Sequence, residues 1–327
     1  MFIVNPYRFT PSVAFIGLLD TYIGGYGAYS VRLLKSSFAS KAPLRVLRSS
    51  SSIEVDVYFD TTPIVPVISL NSPIVAVVGT TNATTLGEFV AASGYIDQDG
   101  IGPSSASVSK WADQFELWDV TQSDPLKQPI LVSSGTLVTV NGHVTISLNG
   151  SQYLTNTSYN PGVLDDFSMF TVYRGDTSTG RSVVGFFETG TGAGRFIRAA
   201  GQNGNTAITA KTYSGNTPQT LSITQSASAN NEYATYTRQG VTTGATWIYV
   251  QATQTTATSV NAAVSQTNGT VPTITPVEFT IGAHKSSNYA GMIGFISECF
   301  YFLGQTYSNG MTLTTRNALL LNQIQYF

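Results

Sequence analysis

Nine carboxylates stand where they could attack or protonate a glycosidic bond: Asp97, Asp99, Asp113, Glu116, Asp119, Asp165, Asp166, Glu188 and Glu298. A retaining hydrolase needs two of them about 5–5.5 Å apart, with surroundings that make one an acid. Glu188, in VVGFFETGTGAG, lies between an apolar run and a glycine turn. That position suits either a sheet rim facing a ligand or a solvated strand end. Glu298 alternates with Ile296, Phe300 and Phe302, which places it on an apolar face, the setting of a hydrogen-bonded structural carboxylate. Asp97, Asp99, Asp113 and Asp119 offer oxygen ligands for a hard cation such as Ca²⁺. IDQDGIG has the acid-then-glycine order of a calcium loop without its full spacing or closing glutamate. Tyr95, Trp111 and Trp118 have the apolar bodies and polar tips that stack on a sugar, and equally the bulk of core aromatics.

Other chemistries have less support. His143 and His284 are the only histidines, far apart and without a nearby cysteine, so a zinc site is not expected. No Gly-x-Ser-x-Gly elbow accompanies them, and Cys299 sits in an apolar strand as a small hydrophobe.

The elements that must position these residues are short strands. Leu44 and Val46, then Ile53, Val55, Val57 and Phe59, alternate with polar residues. Downstream, runs such as FSMFTVYRG, RSVVGFF, EYATYTRQG and GFISECFYFLG end on glycine or asparagine turn chemistry. So many short strands predict a sandwich. Residues 61–80 hold three prolines among β-branched residues, which predicts edge strands and an internal boundary or insertion around 60–107. A helix is expected near Ala28, Val31, Leu34 and Lys35, and another turn over 84–92 with Thr85 as cap and Glu88 closing a capping box. Residues from Leu313 predict a closing helix capped by Thr314 or Thr315. Residues 1–12, with two prolines, read as an extended arm in which Val4, Asn5, Pro6, Tyr7, Arg8 and Phe9 can dock on a neighbour.

Composition narrows the partners. Of 327 residues, only 10% are charged, and Ser, Thr, Asn, Gln and Gly take the place of the missing charge. With 16 basic against 18 acidic residues and no basic run, nucleic acid is not an expected partner. No apolar stretch is long enough for a membrane span, and the opening residues lack a secretory signal pattern, so synthesis in the cytoplasm is expected. A single cysteine excludes an internal disulfide framework.

Two stretches resemble the α-L-arabinofuranosidase B catalytic-domain family and its phage-borne relatives. Residues 28–57 look like its opening, and in residues 108–132 Trp111, Asp113, Gln114, Thr121, Gln122, Gln128 and Pro129 stand in matching order. Residues 279–327 are similar to the end of concanavalin A-like (laminin-G-like) domains, and VNPYRF to the start of phage surface proteins. The chain departs from the family at Phe115-Glu116-Leu117-Trp118, in the added material at 60–107, and in lacking the family's active-site cysteines. The resemblance implies an all-β, concanavalin A-like jelly-roll β-sandwich over 13–327, with one or two short helices and the arm at 1–12. It also implies a bacteriophage virion surface protein, made in the host cytoplasm, as a head fibre, decoration or tail-fibre component. Other virion proteins, a host cell-surface glycan and copies of itself, as a trimer, are its expected partners. No catalytic residues carry over, so the expectation is a chain without enzymatic activity and without a cofactor, Ca²⁺ being the one ion considered. A glycan-binding lectin and an arabinofuranosidase-like hydrolase are the alternatives.

Overall fold

The computed structural model describes residues 15–22, 24–164, 167–175, 181–188, 196–203, 207–214, 217–224, 232–242, 245–255, 264–268, 275–282, 291–303 and 311–327. The arm at 1–12, Asp165, Asp166 and His284 lie outside them. Among the described residues are 22 strands, numbered in chain order, and three α-helices.

The strands form two antiparallel layers. The front layer runs β4 (Ile74–Val78), β3 (Glu54–Val57), β2 (Leu44–Arg48), β5 (Ala106–Trp111), β6 (Val120–Thr121), β12 (Leu154–Asn156), β21 (Glu278–Ile281) and β14 (Arg181–Phe187). It continues through β15 (Phe196–Asn203), β16 (Ala207–Ser214) and β17 (Thr217–Thr224). In the back layer β22 (Ile293–Leu303) is flanked on one side by β1 (Gly25–Ser30) and β11 (Ile146–Asn149). On its other side follow β13 (Phe167–Gly175), β18 (Tyr233–Thr242), β19 (Ala245–Gln254) and β20 (Val264–Asn268). The layers meet at β5, whose first residues pair with β7 (Ile130–Ser133), itself joined to β11 and to β8 (Thr136–Leu137). A small hairpin, β9 (Thr139–Val140) and β10 (His143–Val144), turns at Asn141-Gly142. Both turn residues have positive φ, as a two-residue hairpin loop requires.

Aromatic rings join the layers. Phe279 of β21 lies 5.5 Å from the ring of Tyr29 in β1 and 5.4 Å from Tyr301 in β22, and Phe186 of β14 meets Tyr301 at 5.4 Å. Gly27 admits Tyr301, since a Cβ there would come within 2.4 Å of its ring. The outer face of the back layer is also covered. The closing helix, Leu313–Tyr326, buries Leu319, Leu320 and Ile324, and beneath it Glu298 accepts from Arg32 Nε at 2.7 Å and from Gln323 Nε2 at 3.0 Å. The ring of Tyr326 lies 4.2 Å from the Arg32 guanidinium. Among the described residues no such cover lies on the front layer around Arg45 and Lys110, which stay partly exposed and line an open depression.

Several expectations are met and one helix is not. The all-β sandwich, the edge strand β4 and the capped turn α2 (Leu86–Phe89) are present, with Thr85 Oγ1 accepting from Glu88 N. The helix expected from Ala28 to Lys35 is strand β1, with a short helix α1 (Leu18–Thr21) before it. Pairing of Ala28 with Phe300 and of Tyr29 with Cys299 overrides the local helical spacing, because burial on both faces outweighs propensity. The closing helix, α3 (Leu313–Tyr326), is capped by Thr312, two to three residues ahead of the expected Thr314 or Thr315. Residues 60–105 carry β4 and α2 and are tied to the body by the bridge of Val67 to Arg32 and the pairing of β4 with β3.

Candidate functional site: a polar cleft on the front layer

Alternation in β2 and β5 turns Leu44, Val46 and Val108 into the core and leaves Arg45 and Lys110 outward. Cross-strand register then lines up Asp56, Arg45, Lys110, Thr121 and Thr155 as one row across β3, β2, β5, β6 and β12. Two depressions, of about 770 and 590 Å³, lie along this row and share Lys110, Asp119 and Asn156. The result is one cleft about 19 Å long, four strand spacings.

The cleft's cations are paired in its walls. Arg45 makes a two-pronged bond to Asp56, Nε to Oδ1 at 2.8 Å and Nη2 to Oδ2 at 3.2 Å, and that bond raises the guanidinium's pKa. Lys110 Nζ lies 2.6 Å from Asp119 Oδ2, Lys127 Nζ 3.3 Å from Asp124 Oδ2, and Lys41 pairs with Glu116. Asp119 is further fixed by the Asp113 amide, which donates to its Oδ1 at 3.0 Å, while Asn156 Nδ2 donates to its carbonyl at 2.8 Å. Such a surface offers many partly satisfied donors and acceptors and little apolar area, which is the hydrogen-bonding complement of hydroxyls.

The floor beneath the cleft is held by buried polar side chains. Asp113, fully buried, accepts from the backbone N–H groups of Ala28, Phe115, Leu117 and Trp118 at 2.8–3.2 Å. Burial pushes its carboxyl up to about 6 against the downward pull of those four donors. Gln114 accepts from the amides of Leu34 and Lys35 and donates to the Arg32 carbonyl. Gln128 donates to the Gln122 carbonyl, and Gln122 in turn accepts from the Asp124 amide. The residues that carry the sequence resemblance are thus the ones that shape the cleft's loops from below.

The expected sugar platform does not form. Trp111 is fully buried edge-on to Tyr29 at 6.2 Å, and Trp118 packs against Tyr159 at 5.3 Å. Tyr95 lies on Gly87, where a Cβ would come within 2.5 Å of its ring, and donates its hydroxyl to Asn71. The three rings thus serve separate packing sites, Trp111 fully buried and Tyr95 and Trp118 half-buried.

The four aspartates proposed for a cation do not converge either. Asp97 accepts from the amides of Ile101 and Gly102 and closes its own loop. Asp99 pairs with buried Arg48 at 2.6 Å and accepts from Thr81 and Asn82. Burial would push Asp99 up, but those hydrogen bonds and the guanidinium hold it at about 2. Asp113 and Asp119 belong to the cleft. Among the described residues no group of three or more His, Cys, Asp or Glu side chains could hold a metal ion.

Glu188 ends β14, where its Oε1 accepts from the Thr275 amide at 2.6 Å. Three strand steps separate β14 from β6, about 14 Å, so Glu188 and Asp119 are not a close carboxyl pair. Glu298 is the structural carboxylate its apolar setting implies, and burial raises the pKa of Cys299 beside it. Reading the sequence alone passed over Arg45, Lys110, Asp56, Thr155 and Asn156. Their only signal was their place at polar positions of alternating strands.

No family model matches the sequence, and no curated protein matches it significantly. By structure the chain is similar to a mutant GH54 α-L-arabinofuranosidase soaked with 4-nitrophenyl α-L-arabinofuranoside, with a TM-score of 0.56 and 15% identity over 91% of this chain and 62% of that one. It is also similar to an arabinofuranosidase complexed with arabinofuranosyl-α-1,2-xylobiose, with a TM-score of 0.55 and 14% identity over 91% of this chain and 61% of that one. The chain therefore spans about three-fifths of the length of the solved chains it matches. At this identity the likeness establishes the fold, the one the sequence resemblance implied. It also corrects the expectation of a chain without enzymatic activity: a fold matched by glycosidases over nine-tenths of its length leaves no ground for that exclusion.

Proposed function

We propose that this chain is a carbohydrate-recognition β-sandwich displayed on a bacteriophage virion, gripping a host cell-surface glycan in the cleft between Asp56 and Lys127. The observation that carries the reading is the cleft itself: paired charges, amides and hydroxyls aligned by register on the uncovered layer of a fold shared with sugar-processing proteins. Low charge and the resemblance to phage-borne relatives support the virion setting, as a head fibre, decoration or tail-fibre component. In this reading residues 4–9 anchor the chain to other virion proteins and the body assembles as a trimer. Electron microscopy of particles carrying an epitope on this chain tests the setting, and mass photometry with and without residues 1–12 tests the assembly. Labelled particles and an oligomer lost on truncation are expected; an unlabelled particle and an unchanged monomer would sink the setting. Glycan-array binding that disappears in Lys110→Met tests the cleft.

A second reading is hydrolysis. Thr155 pairs with Thr121 and with Thr280, so Asp119 and Glu278, each two residues along, flank β12 on the same face of the sheet. Their Cα atoms are two strand spacings apart, about 10 Å, which lets the carboxyl groups fall in the range of an inverting pair. Thr155 Oγ1 donates to Glu278 Oε1 at 2.9 Å. Release of 4-nitrophenol from 4-nitrophenyl α-L-arabinofuranoside, abolished by either Asp119→Asn or Glu278→Gln, is the result this reading requires.

A further inference from the structure

We infer that the cleft takes the interior of a neutral polysaccharide chain, several sugar residues at a time, lying across the strands; this rests on the reading of the cleft as the glycan site.

The charge argument comes first. The two depressions hold four cations, Lys41, Arg45, Lys110 and Lys127, and each has its own carboxylate, in Glu116, Asp56, Asp119 and Asp124. Glu54, beside Arg45, is a further carboxylate without an ion pair among the described residues, and Asp113 lies buried below. A sialic acid, uronate or sulfate would have to break one of these pairs to find a cation, and would meet the field of Glu54 as it did so. Neutral hydroxyls need break nothing: they donate to the carboxylate oxygens and accept from the guanidinium and ammonium hydrogens that the pairs leave over.

The shape argument is independent of charge. The two depressions share Lys110, Asp119 and Asn156, so they are continuous. Polar groups extend along the whole row from Asp56 to Thr155, a length about five strands wide. Nothing on the row concentrates donors at a single point, as a site built for one terminal residue would. The half-buried tyrosines of the lining, Tyr58 in one depression and Tyr153 in the other, are likewise spread along the cleft, so affinity must accumulate from contacts along several residues.

The test uses the full chain on an array carrying neutral, uronic-acid and sialylated chains from monosaccharide to octasaccharide, followed by calorimetry on the best series. The expected hits are neutral chains, with affinity rising by about tenfold or more from the monosaccharide before it levels off. Asp56→Asn, at one end of the row, should weaken long chains more than short ones, whereas Lys110→Met, at the centre, should weaken all lengths alike. Hits that are lost in Lys110→Met but are acidic, or that bind equally at every length, overturn the inference and leave the cleft reading standing. An array without hits, or hits indifferent to Lys110→Met, overturns both.

Discussion

Asp113 links residue chemistry to the shape of the cleft. Its carboxyl bonds four amides, among them those of the 115–118 segment, and the next residue of that segment is Asp119. Its pKa in the folded chain, about 6, exceeds the ordinary value of 3.8. The folded state therefore binds the proton more tightly, and the stability this contributes is full below about pH 4 and lost as pH rises through about 6. The difference in unfolding free energy between the native chain and Asp113→Asn should accordingly fall by up to about 3 kcal/mol between pH 4 and 7 and stay flat above. Urea titrations at stepped pH measure it; a difference that grows with pH would contradict the assignment. Lys110 and Asp119 are closer to the surface, and substituting either should abolish glycan binding with the melting temperature changed little, because an exposed pair contributes only about 0–1 kcal/mol.

At the scale of elements, the closing helix is attached by charge as well as by apolar packing. Arg32 and Glu298 are both buried beneath it, and Gln323 completes the carboxylate's bonds. Removing one partner strands the other, so Glu298→Ala should cost about 3–5 kcal/mol, whereas Arg32→Met with Glu298→Met should cost much less. Thermal unfolding of the two variants measures both. The α2 turn gives a smaller and local effect: Thr85→Ala removes the cap that receives the Glu88 amide and should cost about 1 kcal/mol.

Over the whole molecule, buried carboxylates with raised pKa values set the pH response. Glu232 is buried where it accepts from Ser297 Oγ and Asn141 Nδ2, and burial pushes it up to about 7 against those bonds. With Asp113 it makes the folded chain more stable as pH falls from 7 towards about 4. Asp99, held at about 2, contributes stability in the opposite sense, present above the ordinary value of 3.8 and lost as pH falls from there through about 2. A maximum of stability near pH 4 is expected, and Glu232→Gln should flatten the slope between about 4.5 and 7. Calorimetric melting across pH 3–8 reads both; a maximum above pH 7 would show that ionised forms are the favoured ones. Neutral glycan binding, in turn, should change less than about twofold with added salt, because no net charge is neutralised.

The strand-rich class, most strand positions, the edge character of β4 and the capped turn at Thr85 are legible in the residues alone, because alternation, proline and capping chemistry act over a few positions. The sequence also marked Trp111, Asp113, Gln114, Gln122 and Gln128 through their resemblance to a family and offered the core as one setting for Trp111, without indicating that the polar four are buried supports. Tertiary structure decided the rest. Segment 28–35 has helical spacing, and only the β22 ladder makes its first residues a strand. Trp118 and Tyr95 have the chemistry of sugar platforms, and only their packing partners show that they stand on separate sites. The cleft was invisible for the same reason. Its row joins residues from Arg45 to Thr155 that meet only through antiparallel register, and register is set by which faces the whole sandwich buries.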